Sequence, residues 1–329
     1  NLYSNNSDAK IALDYVQNKR KLSKETIQKF EVGYAPNSWE SLYSYLTKDK
    51  NYQQELIVAS GLFIPRENQN SYYDRFRNRV IFPIYNEKNN VIGFGGRTLT
   101  NEDAKYINSP ETLIFSKGFN LYALNYAKDA IKKLDYVILT EGYLDVITAH
   151  QHGLTNTVAT LGTALTKEQA RLLAKYTNSK KICLCLDTDA AGQKAAERTF
   201  KISQEISKFV TLDLRVVSDL ISKDLDESLN TEGYEKVKNK IENSKPISKF
   251  VIEKVTTQYK DSRRENEKKE ILEELMDVIT STADPIEQKE NVNYASHLLK
   301  IDEELISMKL RDKTRPKRTY KQSHKESED

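Results

Sequence analysis

Tyr136-Val-Ile-Leu-Thr-Glu141-Gly142-Tyr-Leu-Asp145 is the stretch on which the fold turns. Its first five residues are apolar or β-branched and read as a buried strand. Gly142 permits a tight turn, and Asp145 opens the helix that follows, so one strand-to-helix corner offers two carboxylates, Glu141 and Asp145. Each alone has an ordinary explanation: an exposed acid for Glu141, and a helix N-terminal carboxylate stabilised by the dipole for Asp145. The device recurs downstream. Ile182-Cys-Leu-Cys-Leu186 runs into Asp187 and Asp189, and Leu214-Arg-Val-Val-Ser218 precedes Asp224 and Asp226. Parallel strands place their C-terminal ends on one edge of a sheet, where open α/β folds build their sites. Three such ends would gather these six carboxylates in one small volume. Crowded like charges are tolerable mainly when cations fill the space. Hard oxygen ligands suit Mg²⁺ or Mn²⁺, so the expected chemistry is metal-assisted reaction at phosphate.

The rhythm around this stretch sets the class. From 135 the sequence alternates strands at 135–140, 156–160, 181–186 and 212–217 with helices at 144–152, 166–177 and 190–208. That alternation predicts a parallel sheet covered by helices. Upstream, residues 8–60 read as short helices, with Ser23 and Ser38 at N-cap positions and Gly33 and Pro36 punctuating between them. Residues 79–97 read as a β-hairpin turning at Asn86-Glu-Lys-Asn-Asn90. Leu121 to Lys133 reads as a helix. From about 232 the pattern is helical only, with Pro246 and Pro285 near helix starts. Arg263 to Glu274 alternates in sign, as a solvated helix face does. Lys309 to Lys325 holds eight Lys or Arg against one Asp and reads as a flexible linker, with a nucleic-acid-binding tail as the other reading. The class is α/β, α+β overall, in four parts: a mixed α/β basic lobe (1–133), a parallel-sheet metal-binding domain (134–232), a helical bundle (233–312) and a basic tail (313–329).

Composition narrows the class further. A chain of 329 residues, 30% charged and 38% hydrophobic, is long enough for two or three domains. A net charge of +3 does not by itself announce nucleic-acid binding, so any basic surface must be local. Cys183 and Cys185 alternate within one apolar strand and read as core, and the four histidines lack zinc-ligand spacing. No signal peptide or membrane-length apolar run is present, so the expected location is cytoplasmic with no membrane partner. The chain begins without Met and ends in a charged tail, which reads as a piece of a longer protein.

A second set of residues carries positive charge. Phe94-Gly-Gly-Arg97 is surrounded in sequence by Arg75, Arg77, Arg79, Lys105 and Lys117. Lys105-Tyr106-Ile-Asn108-Ser-Pro and Phe115-Ser-Lys-Gly118 read as loops that combine a cation, an aromatic and small polar residues. Such loops can hold phosphates and stack a base; a solvated basic surface fits them equally. Leu161-Gly-Thr-Ala-Leu-Thr166 turns from strand to helix, either as a plain turn or with its amides lining a site.

Taken together, these segments resemble the catalytic core of bacterial replicative primases, the DnaG family. The resemblance is carried by Arg75-Phe-Arg-Asn-Arg-Val-Ile-Phe-Pro-Ile84, Val91-Ile-Gly-Phe-Gly-Gly-Arg97, Lys105-Tyr-Ile-Asn-Ser-Pro-Glu-Thr112, Phe115-Ser-Lys-Gly118, Glu141-Gly-Tyr-Leu-Asp-Val146, Leu161-Gly-Thr-Ala164 and Leu186-Asp-Thr-Asp-Ala-Ala-Gly192. It runs from about 8 to 250 and is densest from 72 to 192. The two acidic motifs alone would indicate only a Toprim domain, shared with topoisomerases and some nucleases. The Arg-rich hairpin and the Tyr-Ile-Asn-Ser-Pro loop select primase.

What the resemblance implies is a DNA-dependent RNA polymerase that makes short RNA primers on single-stranded DNA from NTPs at the replication fork. Glu141, Asp187 and Asp189 would be the principal metal ligands, completed by Asp145, Asp224 and Asp226, for Mg²⁺ with Mn²⁺ as substitute. Arg97, Lys105, Tyr106, Asn108 and Lys117 would face nucleotide and template, and Arg20 aligns with a basic position of the same lobe. Zinc would belong to a separate N-terminal domain of the full-length protein. The replicative helicase would bind through a C-terminal domain, and regulatory polyphosphate nucleotides could occupy the NTP site. Ser222-Lys-Asp-Leu-Asp226 departs from the family's Gly-Glu-Asp-Pro-Asp, which leaves the roles of Asp224 and Asp226 open. The alternatives are another Toprim enzyme, a nuclease or topoisomerase, or a non-catalytic DNA- or nucleotide-binding module.

Overall fold

Short apolar strands separated by amphipathic helices set the order of elements. The computed structural model describes residues 2–3, 7–67, 71–100, 104–187, 190–207, 209–218, 220–282 and 284–314, without the side chains of 190, 191 and 193. It divides into two compact units, Asn1–Ile247 and Ser248–Asp329.

The first unit begins with α1 (Ser7–Asp14), which continues as a π-helical turn over Tyr15–Lys19, then α2 (Lys24–Lys29) and β1 (Gly33–Ala35). Ser23 caps α2 by accepting from the Thr26 amide, as its position predicted. Next come α3 (Ser41–Ser44), α4 (Gln54–Ala59), β2 (Phe63–Pro65) and β3 (Tyr72–Asp74). Ser38 does not cap α3. The carboxylate of Asp74 accepts from the Leu42 and Tyr43 amides at 2.8 and 2.9 Å, so the cap comes from a distant residue.

The predicted hairpin is β4 (Arg79–Tyr85) and β5 (Val91–Thr98), with a bulge between Ile84 and Tyr85. β6 (Tyr106–Asn108) pairs antiparallel with β5, Arg97 opposite Tyr106, so the first of the two expected loops is in part a strand. Together β1-β4-β5-β6 form an antiparallel sheet, and β2 pairs with β3 beside it. The short strands β1, β2, β3 and β6 were missed because three residues carry no legible period.

α5 (Leu124–Leu134) starts three residues later than its sequence pattern suggests. Tyr122 exchanges backbone hydrogen bonds with Ala159 and stays extended, and Ala123 turns at φ +63°. The expected alternation then follows: β7 (Tyr136–Thr140), α6 (Tyr143–Gln151), β8 (Thr157–Ala159), α7 (Lys167–Ala174), β9 (Lys181–Leu184), α8 (Ala190–Ile206) and β10 (Asp213–Val216). α9 (Leu225–Glu232), α10 (Tyr234–Glu242) and β11 (Lys245–Pro246) close the unit. Sheet order is β11-β10-β9-β7-β8. Four strands are parallel, and β11 adds an antiparallel edge that the periodicity did not reveal. Cys183 and Cys185 are buried, as read. A core of Val80, Phe82, Ile84, Phe115, Tyr122, Tyr143 and Ile147 joins the two sheets' helices and hairpin.

The second unit holds the rest of α11 (Ile247–Asp261), then α12 (Glu265–Thr280), α13 (Pro285–Leu299) and α14 (Glu303–Thr314). Pro285 occupies the first turn of α13 behind an Asp284 cap. The expected linker from 309 is helical through Thr314, because Lys313 pairs with Asp277 at 2.7 Å and Lys309 with Glu273 at 3.3 Å. Residues 315–329 of the basic tail lie outside the described residues. Among the described residues no helix is long and apolar enough to cross a membrane.

Candidate functional site

The parallel strands have the connectivity 2-1-3-4, with β7 central, β8 on one side and β9 and β10 on the other. The chain therefore reverses its direction of travel between β7 and β9. Such a switch point opens a crevice beyond the carboxyl ends of the two strands. Glu141 follows β7 and Asp187 follows β9, so the two acids flank that crevice. They meet there: the Asp187 amide donates to Glu141 Oε1 at 3.4 Å. Asp189 lies outside the described residues. Gly192 is dictated by packing, since a Cβ there would overlap the Asp187 carbonyl.

Asp145, in the first turn of α6, is 8% exposed. Its Oδ1 accepts from the Asp226 amide at 3.0 Å. Its Oδ2 lies 2.7 Å from where a Cβ on Gly142 would sit. Gly142 has φ −117°, which any residue adopts, so glycine is needed there for the close approach of Asp145 and not for the turn. Burial pushes the Asp145 carboxyl well above the usual range; the charges of Asp224, Asp226 and Asp187 push it further, opposed by the hydrogen bond from the Asp226 amide. Asp224 caps α9 by accepting from the Glu227 amide at 2.8 Å. Asp226 is buried and pairs with Arg20 at 2.7 Å.

Facing these acids is a group of cations. The Arg97 guanidinium lies 4.2 Å from the centre of the Tyr15 ring and 5.7 Å from that of Tyr106. Its Nε is buried with no hydrogen-bond partner among the described residues. Lys105 has its ammonium pushed down by burial and by the charges of Arg97, Arg20 and Lys223, with Asp224 opposing. Lys223 stands 3.9 Å from Asp187. Thus Arg20, Arg97, Lys105 and Tyr106 come together beside the carboxylates.

Among the described residues, the hydrogen bonds of Asn108 and of the loop at Lys117 go to scaffold elements rather than to that group. The Asn108 amide bridges scaffold elements, donating to the Leu161 carbonyl at 2.9 Å and accepting from the Tyr143 hydroxyl at 2.6 Å. The Lys117 carbonyl accepts from Gln169, and Thr166 donates to the Gly118 carbonyl, which fastens that loop to the start of α7. The turn from Leu161 to Thr166 is therefore a docking point for two loops of the basic lobe.

A second feature escaped the sequence reading. A cavity of about 390 Å³ is lined by Asn37, Trp39, Ile64, Arg75, Arg77 and Arg79, among others. Trp39 is 58% exposed and carries the Arg77 guanidinium 4.2 Å above its ring. Arg75 donates to the Asn108 carbonyl at 3.1 Å, and Arg79 is buried against the Ala104 carbonyl at 3.0 Å. The available signals were the chain's single Trp and, well downstream of it, the Arg-rich segment from Arg75 to Arg79. Tyr15 had no such signal, being one of 19 tyrosines.

Among the described residues, no three acidic, His or Cys side chains converge closely enough to hold an ion. The donor chemistry nevertheless fits a hard divalent cation. The Asp187 backbone meets the Glu141 carboxylate, and a further acid, Asp145, is buried in the field of Asp224, Asp226 and Asp187.

Comparison with known proteins places this geometry. A family profile described as the N-terminal domain of the DNA primase catalytic core matches residues 1–128, and a Toprim-like profile matches 138–229. A DNA primase of Clostridium acetobutylicum is 39% identical over 313 residues, 93% of this chain and 48% of that protein. A solved DnaG primase catalytic domain bound to ssDNA is 30% identical, with TM-score 0.75, covering 92% of each chain. The zinc-binding and RNA polymerase domains of the Aquifex aeolicus primase are 31% identical, with TM-score 0.70, covering 93% of this chain and 70% of that one. The chain spans about a third to a half of the length of the curated relatives it matches.

Proposed function

The chain belongs to the family of DnaG primase catalytic cores, and on that premise we propose that it is a DNA-dependent RNA polymerase making short primers on single-stranded DNA. The observation that carries this reading is the meeting of opposite charges at the switch point: the Asp187 amide reaches Glu141, Lys223 stands 3.9 Å from Asp187, and Lys105 lies in the field of Lys223, Arg97, Arg20 and Asp224. Anionic phosphates with bound divalent cations satisfy both sets at once.

Glu141, Asp187 and Asp189 would hold Mg²⁺ or Mn²⁺, with Asp145 and Asp224 adding negative field. When bound, the metal supplies charge neutralisation of the triphosphate and a lowered pKa for the attacking 3′-hydroxyl. The chain's own residues do the rest. Arg97 offers its guanidinium charge to a phosphate oxygen. Lys105 adds a second cation whose depressed pKa follows from burial among like charges. Tyr106, 37% exposed, can pack against a base. Lys117 would meet phosphate farther along the loop, and Asn108 holds the β6 edge in place. Phosphoryl transfer rests mostly on such positioning and charge.

The template would lie in the cavity of Trp39, Arg75 and Arg77, where one aromatic face and the guanidinium groups fit a base and its phosphates. The solved relative bound to ssDNA supports a single strand as the ligand class. Polyphosphate nucleotides would compete for Arg97 and Lys105. Helicase contact and zinc binding would belong to other parts of a longer protein.

Synthesis of labelled RNA from NTPs on single-stranded DNA, with Mg²⁺ or Mn²⁺, tests the reading. Products that disappear with EDTA and in Glu141→Gln are expected. Failure of the wild type both to initiate and to extend an annealed primer would overturn it.

A further inference from the structure

Asp226 is held by three protein donors, Arg20, Thr148 and Asn230. It sits in the first turn of α9 and is 3% exposed. Its Oδ2 accepts from Arg20 at 2.7 Å. Its Oδ1 accepts from the Thr148 hydroxyl at 2.6 Å and the Asn230 amide at 3.2 Å. A carboxylate has about four acceptor positions, so little capacity is left. Its charge is matched by Arg20, and releasing Arg20 to take a metal would leave a half-buried guanidinium uncompensated.

The contact continues away from the acids. Arg20 Nε donates to the Tyr15 hydroxyl at 2.5 Å. The Tyr15 ring is the surface on which Arg97 lies, at 4.2 Å. A carboxylate, a guanidinium and a phenol thus connect α9 to the cation that ends the Gly-Gly-Arg strand. The ring's hydroxyl is held by Arg20, and three cations, Arg97, Arg20 and Lys19, lie 4.2, 5.5 and 6.0 Å from its centre.

We propose that Asp226 is a positioning residue of the nucleotide site rather than a metal ligand, acting through Arg20 and Tyr15 on Arg97. The inference rests on the reading of Arg97 as a triphosphate-binding cation. It separates Asp226 from Glu141 and Asp187, which keep the metal role. Asp226 also ties the metal side to the nucleotide side, because its amide holds Asp145 while its carboxylate holds Arg20.

Mn²⁺ binding followed by the loss of free-ion EPR signal, paired with steady-state NTP incorporation on a primed template, tests this in Asp226→Asn, Tyr15→Phe and Glu141→Gln. Asp226→Asn and Tyr15→Phe should keep Mn²⁺ affinity within about twofold of wild type and raise the KM for NTP about tenfold, the worth of roughly one charge-assisted hydrogen bond. Glu141→Gln should lose Mn²⁺ affinity by about tenfold or more, as a ligand does. Mn²⁺ affinity in Asp226→Asn falling to the Glu141→Gln level would overturn the proposal. Should Asp226→Asn not fold, judged by circular dichroism, Tyr15→Phe leaves the carboxylate's own bonds intact and decides the matter: an unchanged KM sinks it. The Mn²⁺ arm needs no turnover, so failure of the polymerase reading is seen separately.

Discussion

Trp39 shows how much one side chain can carry. Its exposed ring, with Arg77 stacked on it, is the only large aromatic surface placed in the Arg-lined cavity among the described lining residues. Trp39→Ala should weaken binding of a fluorescent single-stranded oligonucleotide by about 1–3 kcal/mol, read by anisotropy, with Mn²⁺ affinity unchanged. Equal binding by the variant would remove the template from this cavity. Gly142 makes the opposite point: what matters is a missing atom. Gly142→Ala would set a Cβ 2.7 Å from Asp145 Oδ2 and should cost about 1–3 kcal/mol in urea unfolding, because a buried carboxylate cannot move aside freely. At this scale the sequence was a partial guide. It exposed Glu141, Asp187 and Arg97 through their motifs. It attributed Gly142 to a turn, since a clash between side chain and backbone three residues apart is invisible in one dimension.

Among the elements, the helices with caps are those whose starts were most legible. Thr166 accepts from the Gln169 amide, and Gln169 returns a bond to the Thr166 amide, closing a capping box on α7. The same Thr166 hydroxyl donates to the Gly118 carbonyl at 2.6 Å. Thr166→Ala should therefore lose about 1 kcal/mol of stability through the cap alone. Because the loop carrying Lys117 is fastened there, proteolysis between 113 and 119 should also quicken. Unaltered cleavage would mean the loop is held by its other bonds. The strand Tyr106–Asn108 was read as a loop because three residues show no alternation; its partner β5 supplies the pairing. The helix at Leu124 begins late for a similar reason, since Tyr122 is claimed by Ala159 across the fold.

At the scale of the whole molecule, two properties report on packing and charge. His150 is 6% exposed, and burial lowers its pKa from 6.5 to about 4, with Lys29 adding to the effect and the Thr157 carbonyl opposing it. A depressed folded-state pKa contributes stability that is present above about 6.5 and is lost as pH falls toward 4, because the unfolded chain takes up the proton first. That contribution amounts to about 3 kcal/mol at full loss, on the usual 1.36 kcal/mol for each pH unit. His150→Gln should flatten the acid limb of urea stability between those pH values relative to wild type; superimposable profiles would refute the burial account. Template binding should fall steeply with salt, and Arg75→Ala should reduce the slope of log K against log salt by about one phosphate contact. A slope unchanged by that substitution would place Arg75 off the strand.

Alternating apolar runs were enough to reveal an α/β chain with acids at the ends of parallel strands, because period and strand-end position are local properties written into consecutive residues. The same runs could not order the strands. Only the tertiary structure placed β7 beside β9, and so put Glu141 against Asp187 at a switch point. Only it joined Arg20 to Asp226 across 206 residues of chain, and only it gathered Trp39 and Arg77 into one cavity. The reason is physical: periodicity tells which face of an element is apolar, while partners are chosen by how those faces pack and how buried charges find compensation, and both depend on residues far apart in the chain.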